Sequence, residues 1–446
     1  MKRFLNAAAL AVAMMPVPSM AQEMDHSQMD HGQMDHDAMG HDKTDVPGGV
    51  AEDHAGHKSM AGMDHGDGEV SAAGSGTSRL PGAEGHMSGL HLGLGGDWML
   101  MAHGYAWGVY TDQGGRRGDD KAYVQSMAMV TAEGQVAEGA KLTLKSMWSL
   151  EPIMSARGYP NLFATGETAN GEPLIDRQHP HDLFMELAAR LDIDVAPNTR
   201  LFLYGGPVGE PALGPSAFMM RRSARFNPAA PIAHHWFDST HITYGVATAG
   251  VATSRFQIEA SAFRGQEPDE ERWGIETPKL DSWSVRGTLT PSSNWAAQVS
   301  YGRIKAPEAL HHGEDEGRLT ASLHYADDRL SAMIAFSAKN RIPGPTLTAW
   351  LAEANWNPTG GHNLFGRIEN VENDELFPEG DPLHGQAFRV TRAEAGYAYR
   401  IVITDMVGLA LGGSAAVYGK PNALDAAYGK LDRIRAAVAR RLGLAS

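Results

Sequence analysis

Met-Asp-His recurs every five residues near the start of the chain: Met24-Asp25-His26, Met29-Asp30-His31 and Met34-Asp35-His36, then the variant Met39-Gly40-His41. One more copy, Met63-Asp64-His65, follows His54, His57 and Met60. Thioether sulfur is a soft ligand that favours Cu(I), imidazole takes either copper oxidation state, and a carboxylate attracts any divalent ion. Copper satisfies all three groups best. Zinc, nickel and silver can use the same histidines, and the methionines tip the choice. Residues 22–91 hold nine histidines and seven methionines but no Phe, Trp or Tyr. Within them, residues 23–69 carry 12 acidic side chains against Lys43 and Lys58, so −10 of the chain's formal −15 lies there. Such a segment cannot bury a core, and the sequence predicts a disordered tail over 22–91 that collects cations at many weak sites and lets them hop by ligand exchange.

A second group of candidate ligands lies far along the chain. Asp176-Arg177-Gln178-His179-Pro180-His181-Asp182 offers one cluster, and His234-His235-Trp236-Phe237-Asp238-Ser239-Thr240-His241 another. Neutral imidazoles beside a carboxylate are ordinary ligands for zinc or copper, and three ligands with an open position can activate water. If a strand begins near His235, then His235 and His241 share its lumenal side and Asp238 points away. The bland alternative is a buried polar network of Arg177, Arg221 and Arg222 with these His and Asp residues. No GxSxG, P-loop or dinucleotide fingerprint appears in its required context, so no enzyme activity is expected.

The elements that must position these residues are strands. Lys2 and Arg3 precede an apolar run from Phe4 to Val17, too short to span a bilayer, which reads as a signal peptide over 1–21 cleaved after Ala21. No later run reaches the roughly 18 apolar residues of a transmembrane helix. With no cysteine, disulfides and thiolate sites are excluded, and the acidic balance argues against nucleic acid as a partner. From Trp98 onward the period becomes two: Leu142, Leu144 and Trp148 alternate with Lys141, Thr143 and Lys145, and Leu319, Ala321, Leu323 and Tyr325 with Arg318, Thr320, Ser322 and His324. About 15 such runs, joined by alternately short and long turn-rich stretches, predict an all-β fold: an antiparallel transmembrane β-barrel of about 12–16 strands over 92–428. Trp98, Trp107, Trp148, Trp283, Trp295, Trp350 and Trp356 are candidates for its interfacial girdles. Leu431, Ile434, Val438 and Leu442 share a stripe beside Arg433, Arg435, Arg440 and Arg441, which predicts a basic amphipathic helix over 429–446.

Two resemblances arise from these residues. The Met-Asp-His repeats after a signal peptide resemble those of the outer-membrane copper-resistance B family, in which such a tail precedes a barrel. The strings around His179 (QHPHDLF), Gly209 (GEPALGP) and His235 (HHWFDSTHI) resemble those of an uncharacterised outer-membrane barrel family over residues 98–425. They imply an outer-membrane protein with its tail in the periplasm, copper as Cu(I) or Cu(II) bound without an organic cofactor, and copper resistance as the role. The expected partners are copper ions, outer-membrane lipid and periplasmic copper proteins. A general porin-like channel with an accessory tail is the second expectation, and a lumenal His/Asp metallohydrolase the third.

Overall fold

The computed structural model describes residues 70–85, 89–311, 313–404 and 406–430, with the backbone of short strands at Ala437–Ala439 and Leu442–Gly443. The Met-Asp-His leader and the signal segment lie outside the described residues. Sixteen strands follow one another antiparallel: β1 (Leu90–Gly95), β2 (Trp98–Asp112), β3 (Asp120–Ala137), β4 (Ala140–Trp148), β5 (Phe184–Ala196), β6 (Thr199–Gly209), β7 (Thr243–Thr253) and β8 (Phe256–Phe263). Then come β9 (Ser282–Ser292), β10 (Trp295–Ile304), β11 (Asp315–Ala326), β12 (Leu330–Ile342), β13 (Thr346–Trp356), β14 (His362–Asn373), β15 (Phe388–Val402) and β16 (Gly408–Gly419). The sheet closes into a barrel. No helix among the described residues is long and apolar enough to cross a membrane.

The alternation read from the sequence has the polarity of a membrane barrel. On β9, Ser284, Arg286, Thr288 and Thr290 are buried inside while Trp283, Val285 and Leu289 are exposed outside. On β11, Arg318, Thr320, Ser322 and His324 are inside while Leu319 and Leu323 are outside. A soluble sandwich would place these the other way round, because its dry face is the shared interior. Trp107 is a correction to the girdle reading: it is buried inside with Val109 and Tyr123. It sits on the lumenal parity of β2, and aromatic character alone does not reveal parity.

Two boundaries also move. Residues 70–85, expected as part of the tail, form a hairpin (Ser71–Ala73 with Arg79–Pro81) that is seated in the lumen and held by polar wall groups. Gln257 donates to the Thr77 carbonyl at 2.8 Å, Arg286 to the Thr77 hydroxyl at 3.0 Å, and the Ala83 amide to Ser293. Low hydrophobicity does not keep this stretch from ordering, because the barrel supplies it with hydrogen-bonding partners rather than apolar area. At the other end the expected helix over 429–446 gives way, where described, to strands: Ser414 pairs with Ala439 and Leu411 with Leu442. An open strand edge in lipid would leave a row of unpaired amides and carbonyls, and pairing outweighs helical patterning.

Connections alternate between the two ends, short at one and mostly long at the other, with the three-residue 343–345 the exception. Those at 96–97, 138–139, 197–198, 254–255, 293–294 and 327–329 are tight turns at one end, whereas 149–183, 210–242, 264–281 and 374–387 are long and lie at the other. The two longest fold back into the lumen. Their apolar residues Leu162, Phe163, Ile232, Trp236 and Phe237 pack on lumenal Leu347, Leu351 and Val371. Their backbone is pinned by the wall: Glu369 accepts from the Ala233 amide at 3.0 Å, Arg367 donates to the Ala229 carbonyl at 2.7 Å, and Ser337 to that of Trp236 at 2.6 Å.

Candidate metal centre

The two folded-in loops bring five histidines together. His179 and His181 come from the first, just before β5; His234, His235 and His241 come from the second, just before β7. The sequence reading of a strand from His235 is corrected here. Residues His234–Phe237 form one α-helical turn and Ser239–His241 a 3-10 turn, and β7 starts only at Thr243. Helical spacing places His234 and Asp238 one turn apart, so Asp238 faces the site instead of pointing away.

Ring centroids are 5.2 Å apart for His181–His241 and His234–His241, 5.3 Å for His234–His235, and 5.8 Å for His179–His234 and His179–His235. His234 is the middle of this constellation, with His179 and His235 on one side and His181 and His241 on the other. The ligand nitrogens of His179, His234 and His235 lie within 4.8 Å of one another. Nitrogens bonded to one metal at about 2.0–2.1 Å stand roughly 3.3–3.4 Å apart in a tetrahedral array, so binding would draw this set closer together.

Each ring is oriented through Nδ1. That of His181 contacts Glu151 at 2.9 Å, that of His234 Asp238 at 2.8 Å, and that of His235 Glu267 at 3.1 Å. His241 uses the Asp238 carbonyl at 2.7 Å and His179 the Pro180 carbonyl at 3.1 Å. Since these partners accept, the proton belongs on Nδ1 and the lone pair of a neutral ring on Nε2. The Nε2 atoms of His179, His181, His235 and His241 are buried without a hydrogen-bond partner. That of His179 is 3.1 Å from a Glu167 oxygen, out of line for a hydrogen bond.

Electrostatics divides the set. Burial pulls His179 and His241 well below the ordinary imidazole value. Burial also lowers His234, outweighing Asp238. For His235 burial opposes the charge, but Glu267 prevails and raises it to about 9. Three rings are therefore neutral at pH 7 and ready to donate lone pairs, and a cation at His235 must displace a proton. Asp238 resists ionisation through burial, yet His234 and Arg221 hold its carboxyl far below the usual range. Its second oxygen accepts from the Phe218 amide at 2.9 Å and from Arg221 at 3.2 Å.

Gly166 closes one side. Its φ is +124°, and an added Cβ would lie 2.6 Å from the His235 ring. Only glycine fits both the backbone and the space.

Of the residues expected as ligands, His179, His181, His235 and His241 converge here. Asp182 does not: it faces Arg272 at 3.4 Å, beside the Arg272–Glu167 pair. Met24, His26, Met29, His31, Met34, His36, Met39, His41, His54, His57, Met60, Met63 and His65 lie outside the described residues. The orienting carboxylates Glu151 and Glu267 were not singled out as such, and their distance along the chain gave no signal. A separate cluster, Glu308, His311 and Glu375, is saturated by Lys339 and Arg341 and has the character of an ion network.

No protein-family model matches the chain, and no curated protein sequence does. Solved structures do. The chain is similar to OmpF of Salmonella typhi, a structure in complex with daunomycin, at 10% identity and TM-score 0.51, covering 80% of this chain and 99% of that one. OprB of Pseudomonas putida follows with 9% identity, TM-score 0.46 and coverage of 78% and 93%. An anion-selective porin from Comamonas acidovorans has 11% identity, TM-score 0.44 and coverage of 73% and 90%. The fold is that of an outer-membrane porin barrel.

Proposed function

We propose that this chain is an outer-membrane metal-binding barrel that holds a transition-metal cation, copper above others, at the lumenal histidine centre. The carrying observation is the set of buried imidazoles whose Nδ1 atoms are fixed by carboxylates and carbonyls, with the ligand nitrogens of His179, His234 and His235 within 4.8 Å of one another and the Nε2 atoms of His179, His181, His235 and His241 left without hydrogen-bond partners. Metal-ligating histidines are oriented in this way by their outer partners. The leader gives the choice of metal: thioethers at fixed spacing beside imidazoles favour copper. In this reading the leader gathers ions in the periplasm, on the side where porin turns are short, and the barrel retains them for copper tolerance. The resemblance of the repeats to the copper-resistance B family supports the same role. The action is ligand exchange, with no bond made or broken in a substrate.

Metal analysis of the full chain, a His179→Asn/His234→Asn variant and a chain lacking residues 23–65 tests the reading. The double variant is expected to lose about one tightly held ion while the leader's weak sites persist, and the truncated chain the reverse. Equal tight binding in the double variant and the parent would end the proposal for the centre.

The porin-like fold favours a second reading, a general channel. Ohmic conductance in planar bilayers, unaffected by copper, would support it over the first.

A further inference from the structure

One stretch of the lumen is lined by methionine. On β2 to β5, Met101, Met127, Met129, Met147 and Met185 point inward and form one cluster with Met219 and Met220 of the second folded-in loop. On β9 to β11 most inward positions hold Ser, Thr, Gln, Arg or Glu, and on β13 and β14 the aliphatic Leu347, Leu351 and Val371 point inward. Strand pairing sets these side chains in a row. His103 is opposite Met129, and Met129 is opposite Met147. Directly paired residues sit about 5 Å apart at Cβ, close enough for neighbouring sulfurs to share an ion in turn.

The row has a histidine at each end and space beside it. A cavity of about 100 Å³ is lined by His103, Met219 and Met220 together with Leu80 and Glu84 of the N-terminal hairpin. A smaller void of about 10 Å³ is lined by Met147, Met185, Met219, Met220 and His241. The two share Met219 and Met220. Both ring nitrogens of His103 lack partners, as does Nε2 of His241, a residue only 7% exposed. The hairpin end of the route is the tight-turn end of the barrel, because Arg79 donates to the Thr253 carbonyl and Arg222 to that of Asp328. The first described residues therefore lie at that end, with Ala73 lining the cavity.

We propose that the methionine cluster is a transit path for a soft monovalent cation, Cu(I) or Ag(I), from the His103 cavity to His241 and the histidine centre. This rests on the centre being a metal site. Neutral thioethers bind such an ion weakly, and a file of similar weak ligands lets it move by exchanging one sulfur for the next. A harder cation gains nothing from sulfur, so the path selects for softness before the ion meets imidazole. The methionines serve as core filling as well, and leucine at the same places keeps that role.

The test uses the full chain and a Met147→Leu/Met219→Leu/Met220→Leu variant, with Ag(I) as the probe. The rate at which silver becomes resistant to thiosulfate extraction reports arrival at buried ligands, because silver on the leader is stripped at once. The variant is expected to load at least ten-fold more slowly, to reach the same final occupancy, and to show fewer silver–sulfur contacts by X-ray absorption. Zn(II) loading is expected to be unchanged. Unaltered silver loading with unaltered sulfur coordination would overturn the path alone. If a His179→Asn/His234→Asn variant retains all extraction-resistant silver, the histidine centre falls and the path with it.

Discussion

At the residue scale the site depends on what stands behind each ligand. His181 is aimed by Glu151 and His235 by Glu267, and removing such a partner typically costs 10- to 100-fold in metal affinity. Glu151→Gln, which keeps the shape and loses the charge, is expected to weaken copper binding by about ten-fold in competition titrations without lowering thermal stability appreciably. Gly166→Ala tests the steric side of the same argument. The new methyl group would overlap the His235 ring, so about one tight ion per chain is expected to be lost in metal analysis while Gly171→Ala, in open space, has none of this effect.

At the element scale the plug is held by charged pairs from the wall. Arg221, from the second folded-in loop, meets Glu353 of β13 at 2.7 Å, and Arg367 of β14 meets the same carboxylate at 3.0 Å. All three are buried. Breaking one side of such a network leaves uncompensated charge and costs about 3–5 kcal/mol. Arg221→Met is therefore expected to lower the temperature at which the folded loops become protease-sensitive, and Arg221→Met/Glu353→Gln to recover part of the loss. On the lipid face the rule inverts. Ile258 is exposed on β8, and Ile258→Arg is expected to reduce folding into vesicles by about 2–4 kcal/mol if it lies near the bilayer midplane.

For the whole molecule, the closed sheet and its contents pull in different functional directions. Sixteen strands can enclose an aqueous channel. Here the hairpin at 70–85 and the loops 149–183 and 210–242 occupy the lumen among the described residues. Single-channel conductance is expected to fall well below that of an open porin of equal strand number. Deleting residues 71–85 is expected to raise it. Conductance equal to an open porin in the unaltered chain would mean that the plug leaves the barrel in the membrane.

Period-two alternation, tight turns and the absence of a long apolar run determined the barrel from the sequence alone, because side-chain parity on a strand is a local property that burial only amplifies. The strand near Lys141–Leu150 and that near Arg318–Tyr325 were legible for this reason, and so were His179, His181, His235 and His241 as residue types able to bind metal. Tertiary structure decided the rest. Asp238 joins the site because a helical turn replaces the expected strand. Which way Trp107 points, that residues 70–85 order against Gln257 and Arg286, and that Ala437–Ala439 and Leu442–Gly443 pair as strands were settled by partners distant in sequence. Convergence of the five histidines is of the same kind. Histidines some 50 residues apart along the chain, on two loops, meet because a closed wall of charges folds both inward, and nothing in either loop by itself encodes that meeting.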